Sequence, residues 1–539
     1  MSKGIISFLE NKKHEYIFLV VITLFGAFLR FYKLGEWSFW IEEVHTIRHT
    51  DAIDSLGSVF GNLRNIYYIL NKPVILILGE SEWSARLLPV LLGLLAIPIL
   101  YWLVKKIFGI PVAVLATILM VISPWHIYWS QNARFYTFLL LLFSLSLFLY
   151  YYGIETDRII YFVFSFAALV LAVMTHLLAS LLLLIFVVYF LLLKILPFNK
   201  PAGLRFRNLL PFLLLPVLGY LLYESYLIFY LNDDPLYLNV YNRYFISTRI
   251  FLGYGNPFIM LTSVVYYIGT PLALLSLFGS GFLLKQKNRA GLMISLGAFL
   301  PLLTMMVMSP FSSVANRYVF MTLPFWIILA SFAFLALVES RNIVLWLLYL
   351  GGVLLLLLRD PVLKDLRHYI GMQNYGVLYL IVPVSLVIFF LVLLVLREKD
   401  DPGQLRYLIW IPLVLVIIIF HPMVTDTMYF YYQHGHRDNW KAAASVIKKE
   451  KYEGERIYSA IPPLLSYYIG EQVEEVVDID VIMENTDDQR FWLVEEFGLD
   501  QRFENTYSSW VADNCALKGR WDQYTIGQNW KMRVYLCES

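Results

Sequence analysis

Two adjacent carboxylates, Glu42 and Glu43, follow Trp37-Ser38-Phe39-Trp40-Ile41 and precede Val44-His45-Thr46, just past the first hydrophobic segment of the chain. Acidic side chains are costly near lipid, so a pair at this depth marks a candidate functional site. A carboxylate placed there suits general-base work, taking the proton of a hydroxyl that attacks a carbon bearing a good leaving group. If the leaving group is a phosphate, no protein acid is needed. Cations must then hold the phosphate oxygens, and the planar fork of arginine matches them best. Arg134 and Arg317 stand at the outer ends of predicted spans, at the depth of a lipid phosphate, and Tyr136 lies beside the first. Lys72, Arg243 and Arg249 are reserve substrate-binding candidates in the outer loops.

Plainer readings compete with each of these. The acid pair could cap a surface helix running through Ile47 to Val59, although a cap needs neither two acids nor the aromatic lead-in. Arginines at span ends commonly snorkel to head groups. Glu42, His45 and His49 fall at i, i+3 and i+7 on one helical face, as metal ligands could, but a polar interfacial face explains two histidines better. His434-Gly435-His436 is too small a set for a metal site. His176, inside the hydrophobic region, is either a hydrogen-bonded core histidine or a group reaching a cavity.

These residues must be positioned by a membrane scaffold. The 539 residues are 59% hydrophobic and 15% charged, with a mean hydropathy of +0.65, far from the average soluble chain. A net charge of +2 excludes a strongly basic nucleic-acid surface. Apolar runs predict about thirteen membrane-spanning helices of roughly 20 residues. Their centres fall near Leu24, Ala96, Leu119, Leu142, Ala167, Ile185, Leu215, Leu272, Ala298, Leu329, Tyr349, Val387 and Val414. The stretch Ile159 to Leu196 is too long for one span and divides at Thr175-His176. The first segment lacks a small-residue cleavage site and is read as an anchor.

The Lys/Arg asymmetry of the loops places the N-terminus inside and the acidic loop outside. The residues after His421 then also lie outside. Two regions are expected: a spanning catalytic domain over 1–421 and a small extracytoplasmic α/β domain over 422–539. In the latter, Trp440 to Lys451 has helical spacing, whereas Arg456 to Ala460 and Met532 to Leu536 read as strands. Both cysteines, Cys515 and Cys537, lie here, and a disulfide and two free thiols are both open. Asp478-Ile479-Asp480 looks like the metal-diphosphate triplet of nucleotide-sugar transferases, but no glycine-rich phosphate loop accompanies it. A solvated acidic turn is the better reading.

Several strings, in order, resemble a known family. They are Trp40-Ile41-Glu42-Glu43, Ser84-Ala85-Arg86-Leu87-Leu88-Pro89, Ser123-Pro124-Trp125-His126 running to Asn132-Ala133-Arg134-Phe135-Tyr136, and Asn316-Arg317-Tyr318-Val319-Phe320. Together they are similar to membrane glycosyltransferases of the GT-C fold, in the protein-mannosyltransferase-like and aminoarabinose-transferase-like group. The resemblance implies transfer of a sugar, hexosyl or pentosyl, from a polyprenyl- or dolichyl-phosphate donor. The acceptor would be a glycan, lipid or protein on the non-cytoplasmic face, here of the plasma membrane. It also implies inverting single displacement, with the first acid as general base and the second orienting the acceptor or helping to hold a metal. The family usually carries Asp-Glu where this chain has Glu42-Glu43, and often His-Pro-Pro before the tyrosines that stand here as Tyr67-Tyr68. No nucleotide cofactor and no nucleic-acid partner is expected, and a divalent metal is left open. The competing class is a transporter or flippase of a lipid-linked or amphipathic substrate, but no internal duplication of the kind transporters carry is visible.

Overall fold

The computed structural model describes residues 11–55, 66–226, 257–309, 314–340, 434–476, 490–496, 505–525 and 528–538, with scattered positions in 344–352 and 423–432. The scaffold is helical. Helices α1 (Lys12–Phe31), α2 (Ile41–Asp51), α3 (Ile66–Leu78), α4 (Glu82–Phe108), α5 (Ile110–Ile122), α6 (Pro124–Ser130) and α7 (Tyr136–Thr156) come first. They are followed by α8 (Ile159–Thr175), α9 (Leu181–Ile195), α10 (Phe206–Tyr226), α11 (Pro257–Ile268), α12 (Thr270–Lys285) and α13 (Arg289–Met308). A 3-10 segment over Asn316–Thr322 then leads into α14 (Leu323–Ser340).

Among the described residues six helices are long and apolar enough to cross a membrane, or eight if each of two bent pairs is one span. Eight of the expected centres fall on these spans, and two more, Ala167 and Leu215, fall on shorter apolar helices. The lower number has local causes. The segment around Leu119 bends by 57° between α5 and α6, where Pro124 has no N–H to continue the ladder. The segment around Leu272 bends by 98° between α11 and α12 at Gly269, whose φ of +93° lies in the left-handed region that favours glycine. Helix α8 is one turn shorter than a full span, and the apolar part of α10 is Phe206–Gly219. The centres at Val387 and Val414 lie outside the described residues, as does most of the segment around Tyr349. The expected division at Thr175-His176 is where α8 ends and a 3-10 turn, Leu177–Ser180, begins.

Close backbone approach fixes the pair that presents Arg317. A Cβ built on Gly279 in α12 would stand 2.1 Å from the carbonyl oxygen of Leu329 in α14, and Ser276 Oγ donates to the Trp326 carbonyl at 2.7 Å. Backbone cannot swing aside as a side-chain tip can. Gly279→Ala should therefore destabilise the chain by about 1–3 kcal/mol, the usual cost of overpacking. Thermal melting of the detergent-purified protein would read this, and an unchanged midpoint would refute it.

The C-terminal part is a small α/β unit: α15 (Trp440–Glu450), β1 (Ile457–Ser459), α16 (Pro462–Ile469), β2 (Glu474–Glu475), β3 (Phe491–Glu495), α17 (Asn505–Asn514), β4 (Cys515–Thr525) and β5 (Gln528–Cys537). The sheet order is β2-β1-β3-β5-β4. The first three strands are parallel, and β5 joins β3 and β4 antiparallel. The expected helix and both expected strands are present. Asp478-Ile479-Asp480 lies outside the described residues. Cys515 and Cys537 are directly opposite on β4 and β5 and form a disulfide, which resolves what the sequence left open. It closes a chain separation of 22 residues, so Cys515→Ser should cost about 3 kcal/mol on the loop-entropy estimate. A lower denaturant midpoint of the full chain would show the loss.

One buried cluster joins the two parts. Phe39, Val44 and Ile47, from α2 and its lead-in, pack with Trp440, Ile447, Leu464, Leu465, Trp492 and Val534 of the C-terminal unit. Each large apolar side chain fully buried there contributes roughly 1.5–3 kcal/mol. The acid-bearing helix is thus an inward-packed element ending at Asp51, not the surface helix to Val59 that a simple cap would require.

Candidate active site

The chain brings the C-terminal end of α1, the short α6, the N-terminal ends of α7 and α14 and the α8–α9 turn to one end of the bundle, around α2. The delivery starts at a helix break. Pro124 supplies no amide to the Met120 carbonyl, and the bend leaves the Val121 carbonyl open as well. Arg30, buried near the end of α1, satisfies both: Nη1 donates to Val121 at 3.1 Å and to Gly26 at 3.0 Å, and Nη2 donates to Met120 at 3.3 Å. Nη2 also lies 2.6 Å from His126 Nδ1. Reciprocally, Gln131 Nε2 donates to the carbonyl of Arg30 in α1 at 2.9 Å and to that of Tyr32 just after its end at 2.9 Å. This interlock holds residues 131–135 against α2. Asn132 Oδ1 then accepts from Trp40 Nε1 at 2.6 Å, and the Ala133 amide donates to Glu43 Oε1 at 2.7 Å.

The two carboxylates have opposite environments. Glu43 is fully buried. Arg86 meets it side-on: Nε donates to Oε1 at 2.9 Å and Nη2 to Oε2 at 2.9 Å. Arg437 Nη1 donates to Oε2 at 2.6 Å, and the Trp40 amide reaches the same oxygen at 3.3 Å. The remaining Arg86 N–H groups go to the carbonyls of Leu34, Trp37 and Ser38, each at 3.0 Å. Burial alone would push the Glu43 carboxyl up, but Arg437, Arg86 and the Ala133 amide outweigh it and hold it below the usual range. Both oxygens are filled by protein donors. The acceptor-orienting or metal-holding part that the sequence suggests for Glu43 does not fit this environment.

Glu42, one residue earlier, keeps 20% of its side chain exposed. Arg317 Nη2 lies 2.7 Å from Oε1 and Arg134 Nε 3.3 Å from Oε2. Oε2 accepts no hydrogen bond among the described residues, and Nε of Arg317 donates none. Arg134 Nη1 is fixed by the Glu42 carbonyl at 3.2 Å, Thr46 Oγ1 at 3.1 Å and Tyr68 Oη at 3.4 Å. Tyr136 is buried beneath, its ring 4.1 Å from Trp129 and 4.7 Å from Phe135. The arrangement is a partly buried carboxylate, with Oε2 itself buried and unpartnered, between two guanidinium groups with donors to spare, which suits a base beside a phosphate.

The other candidates sort plainly. Lys72 binds the far end of α2, with Nζ 3.3 Å from the Asp51 carbonyl and 3.6 Å from its carboxylate. Arg243 and Arg249 lie outside the described residues. His49 stacks on Tyr68, and among the described residues no group of three His, Cys, Asp or Glu gathers as a metal set. His434 Nε2 accepts from the Ser38 amide at 3.1 Å; burial lowers its pKa to about 3, so it stays neutral. Burial likewise pushes the Asp438 carboxyl up to about 7. Two site residues received no role from sequence reasoning. Arg86 carried a signal, a charge inside an apolar run. Arg437, 394 residues from Glu43, carried none.

The comparisons agree with this architecture. The family model described as dolichyl-phosphate-mannose-protein mannosyltransferase matches residues 67–225. No curated protein matches the chain by sequence. Among solved structures, apo ArnT from Cupriavidus metallidurans superposes with a TM-score of 0.61 at 16% identity, covering 97% of this chain and 98% of its own. The same protein bound to undecaprenyl phosphate gives 0.58 at 16% identity, covering 97% of each chain. The oligosaccharyltransferase of Archaeoglobus fulgidus gives 0.52 at 10% identity, over 89% of this chain and 69% of its own. Within the architecture that these matches share, the chain has the GT-C fold of membrane glycosyltransferases.

Proposed function

We propose that the protein is an integral-membrane glycosyltransferase that moves a sugar from a polyprenyl- or dolichyl-phosphate donor to a hydroxyl acceptor on the non-cytoplasmic face. The observation that carries this reading is the asymmetry of the acid pair. Glu43 is locked, whereas Glu42 stands partly exposed between Arg134 and Arg317, its buried Oε2 accepting no hydrogen bond among the described residues. The family match and the fold supply the donor class, since one superposed relative is bound to undecaprenyl phosphate.

In the proposed reaction Glu42 takes the acceptor hydroxyl proton as that oxygen attacks the anomeric carbon from the face opposite the phosphate. The carbon–oxygen bond to phosphate breaks, its electron pair leaves with the lipid phosphate, and configuration inverts. Arg134 and Arg317 hold the departing charge through their guanidinium N–H groups. The test is sugar transfer by membranes containing the wild type, given a panel of polyprenyl-phosphate monosaccharides and an extract of acceptors. Turnover with a lipid-phosphate donor supports the reading. Lipid-linked substrate crossing the bilayer without any transfer would replace it with the flippase reading.

A further inference from the structure

His176 lies in the hydrophobic region and is not used by the reaction above, and the fold places it at the same end of the bundle as Glu42. Its ring lies 4.9 Å from that of Phe135 and 6.2 Å from that of Tyr318, the residues that directly follow Arg134 and Arg317. The ring is within electrostatic reach of both guanidinium groups. As the cap of the 3-10 turn Leu177–Ser180, its Nδ1 accepts from the Leu178 amide at 3.2 Å. A nitrogen that accepts cannot carry the proton, so the hydrogen of the neutral ring is on Nε2. Among the described residues Nε2 has no hydrogen-bond partner.

We infer that His176 is a third, uncharged donor to the lipid phosphate, its Nε2–H aimed at an oxygen that Arg134 and Arg317 leave free. The inference rests on the donor class proposed above. The geometry also decides against a base at this position, because the only nitrogen able to accept a proton is spent on the turn. A neutral donor has a further use here. It binds phosphate oxygen without placing a third positive charge beside the two arginines, whose repulsion would weaken the cluster before the donor arrives.

The experiment compares binding of undecaprenyl phosphate, undecaprenol and inorganic phosphate to the full detergent-purified chain. His176→Asn keeps the cap, since asparagine caps such turns well, and removes the ring donor. It should weaken undecaprenyl phosphate binding about ten- to a hundredfold, the range for one hydrogen bond to a charged group, and leave undecaprenol binding unchanged. Equal losses for both lipids, or none, would overturn the inference. In the wild type, the 15N-histidine NMR signal of His176 Nε2–H should be shifted by undecaprenyl phosphate and not by undecaprenol. This arm needs no variant to fold, and equal shifts with the two lipids would also overturn the inference. The same shift with inorganic phosphate alone would assign the site to free phosphate and count against a lipid headgroup. If the wild type itself shows no preference for the phosphate over the alcohol, the donor proposal fails first and this inference falls with it.

Discussion

Glu42→Gln is expected to abolish sugar transfer while leaving the protein folded. The amide keeps the size of the side chain, and the Glu42 ion pairs to Arg134 and Arg317 are partly buried, with 13–30% of each side chain exposed, rather than sealed like those of Glu43. The cost of losing such partly buried pairs lies between about 1 kcal/mol for exposed pairs and about 3–5 kcal/mol for sealed ones, so melting should shift less than in Glu43→Gln. Loss of a positioned base costs about 10²–10⁴-fold in rate. The effect should fall on kcat, because the group acts on the proton in transit and not on the bound donor. Arg317→Lys provides the contrast. It keeps the charge and loses the planar fork, so donor binding should weaken more than the chemical step. A Glu42→Gln protein that still turns over at wild-type rate would move the base elsewhere.

Part of this site was legible in the sequence because its parts carry local signals. Glu42 and Glu43 are charges beside lipid, and Arg134 and Arg317 are charges at span ends. The ten apolar centres falling on helices show the same thing at the scale of the fold, since hydropathy reports directly on what the bilayer tolerates. The contrast in surroundings within the acid pair was not legible. It depends on Arg437, which reaches Glu43 from nearly four hundred positions later in the chain, and on the Ala133 amide, a backbone group with no side-chain signature. The bends were half legible: Pro124 marks a break, but the capping of its open carbonyls by Arg30 is a tertiary fact. Sequence spacing likewise cannot distinguish a histidine on a polar face from one whose ring is already stacked, as His49 is on Tyr68.

The buried cluster around Glu43 predicts a different phenotype from Glu42. Glu43→Gln leaves Arg86 and Arg437 buried without a counter-charge, in a place where Arg86 has every N–H committed. Removing one partner of such a group typically costs about 3–5 kcal/mol, because the surviving charge stays desolvated. The expected result is therefore a protein with a much lower melting temperature and reduced abundance. Its activity should fall because the C-terminal unit no longer grips α2 through Arg437 and the Ser38 carbonyl, 3.3 Å from Nη1. The pH dependence has a definite sign. The folded carboxyl is held below its ordinary value, so the unfolded chain binds the extra proton. The stability that Glu43 contributes is thus present above the ordinary carboxylate pKa and is lost as pH falls through the lower, folded one. Wild type should melt earlier in acid across that window, whereas Glu43→Gln should show a flatter profile from an already lower start. Abundance, melting and transfer measured on both variants separate the roles: a stable, inactive Glu43→Gln protein would give the chemistry to Glu43. An unstable one beside a stable, inactive Glu42→Gln protein leaves Glu42 as the base and Glu43 as the post that positions it.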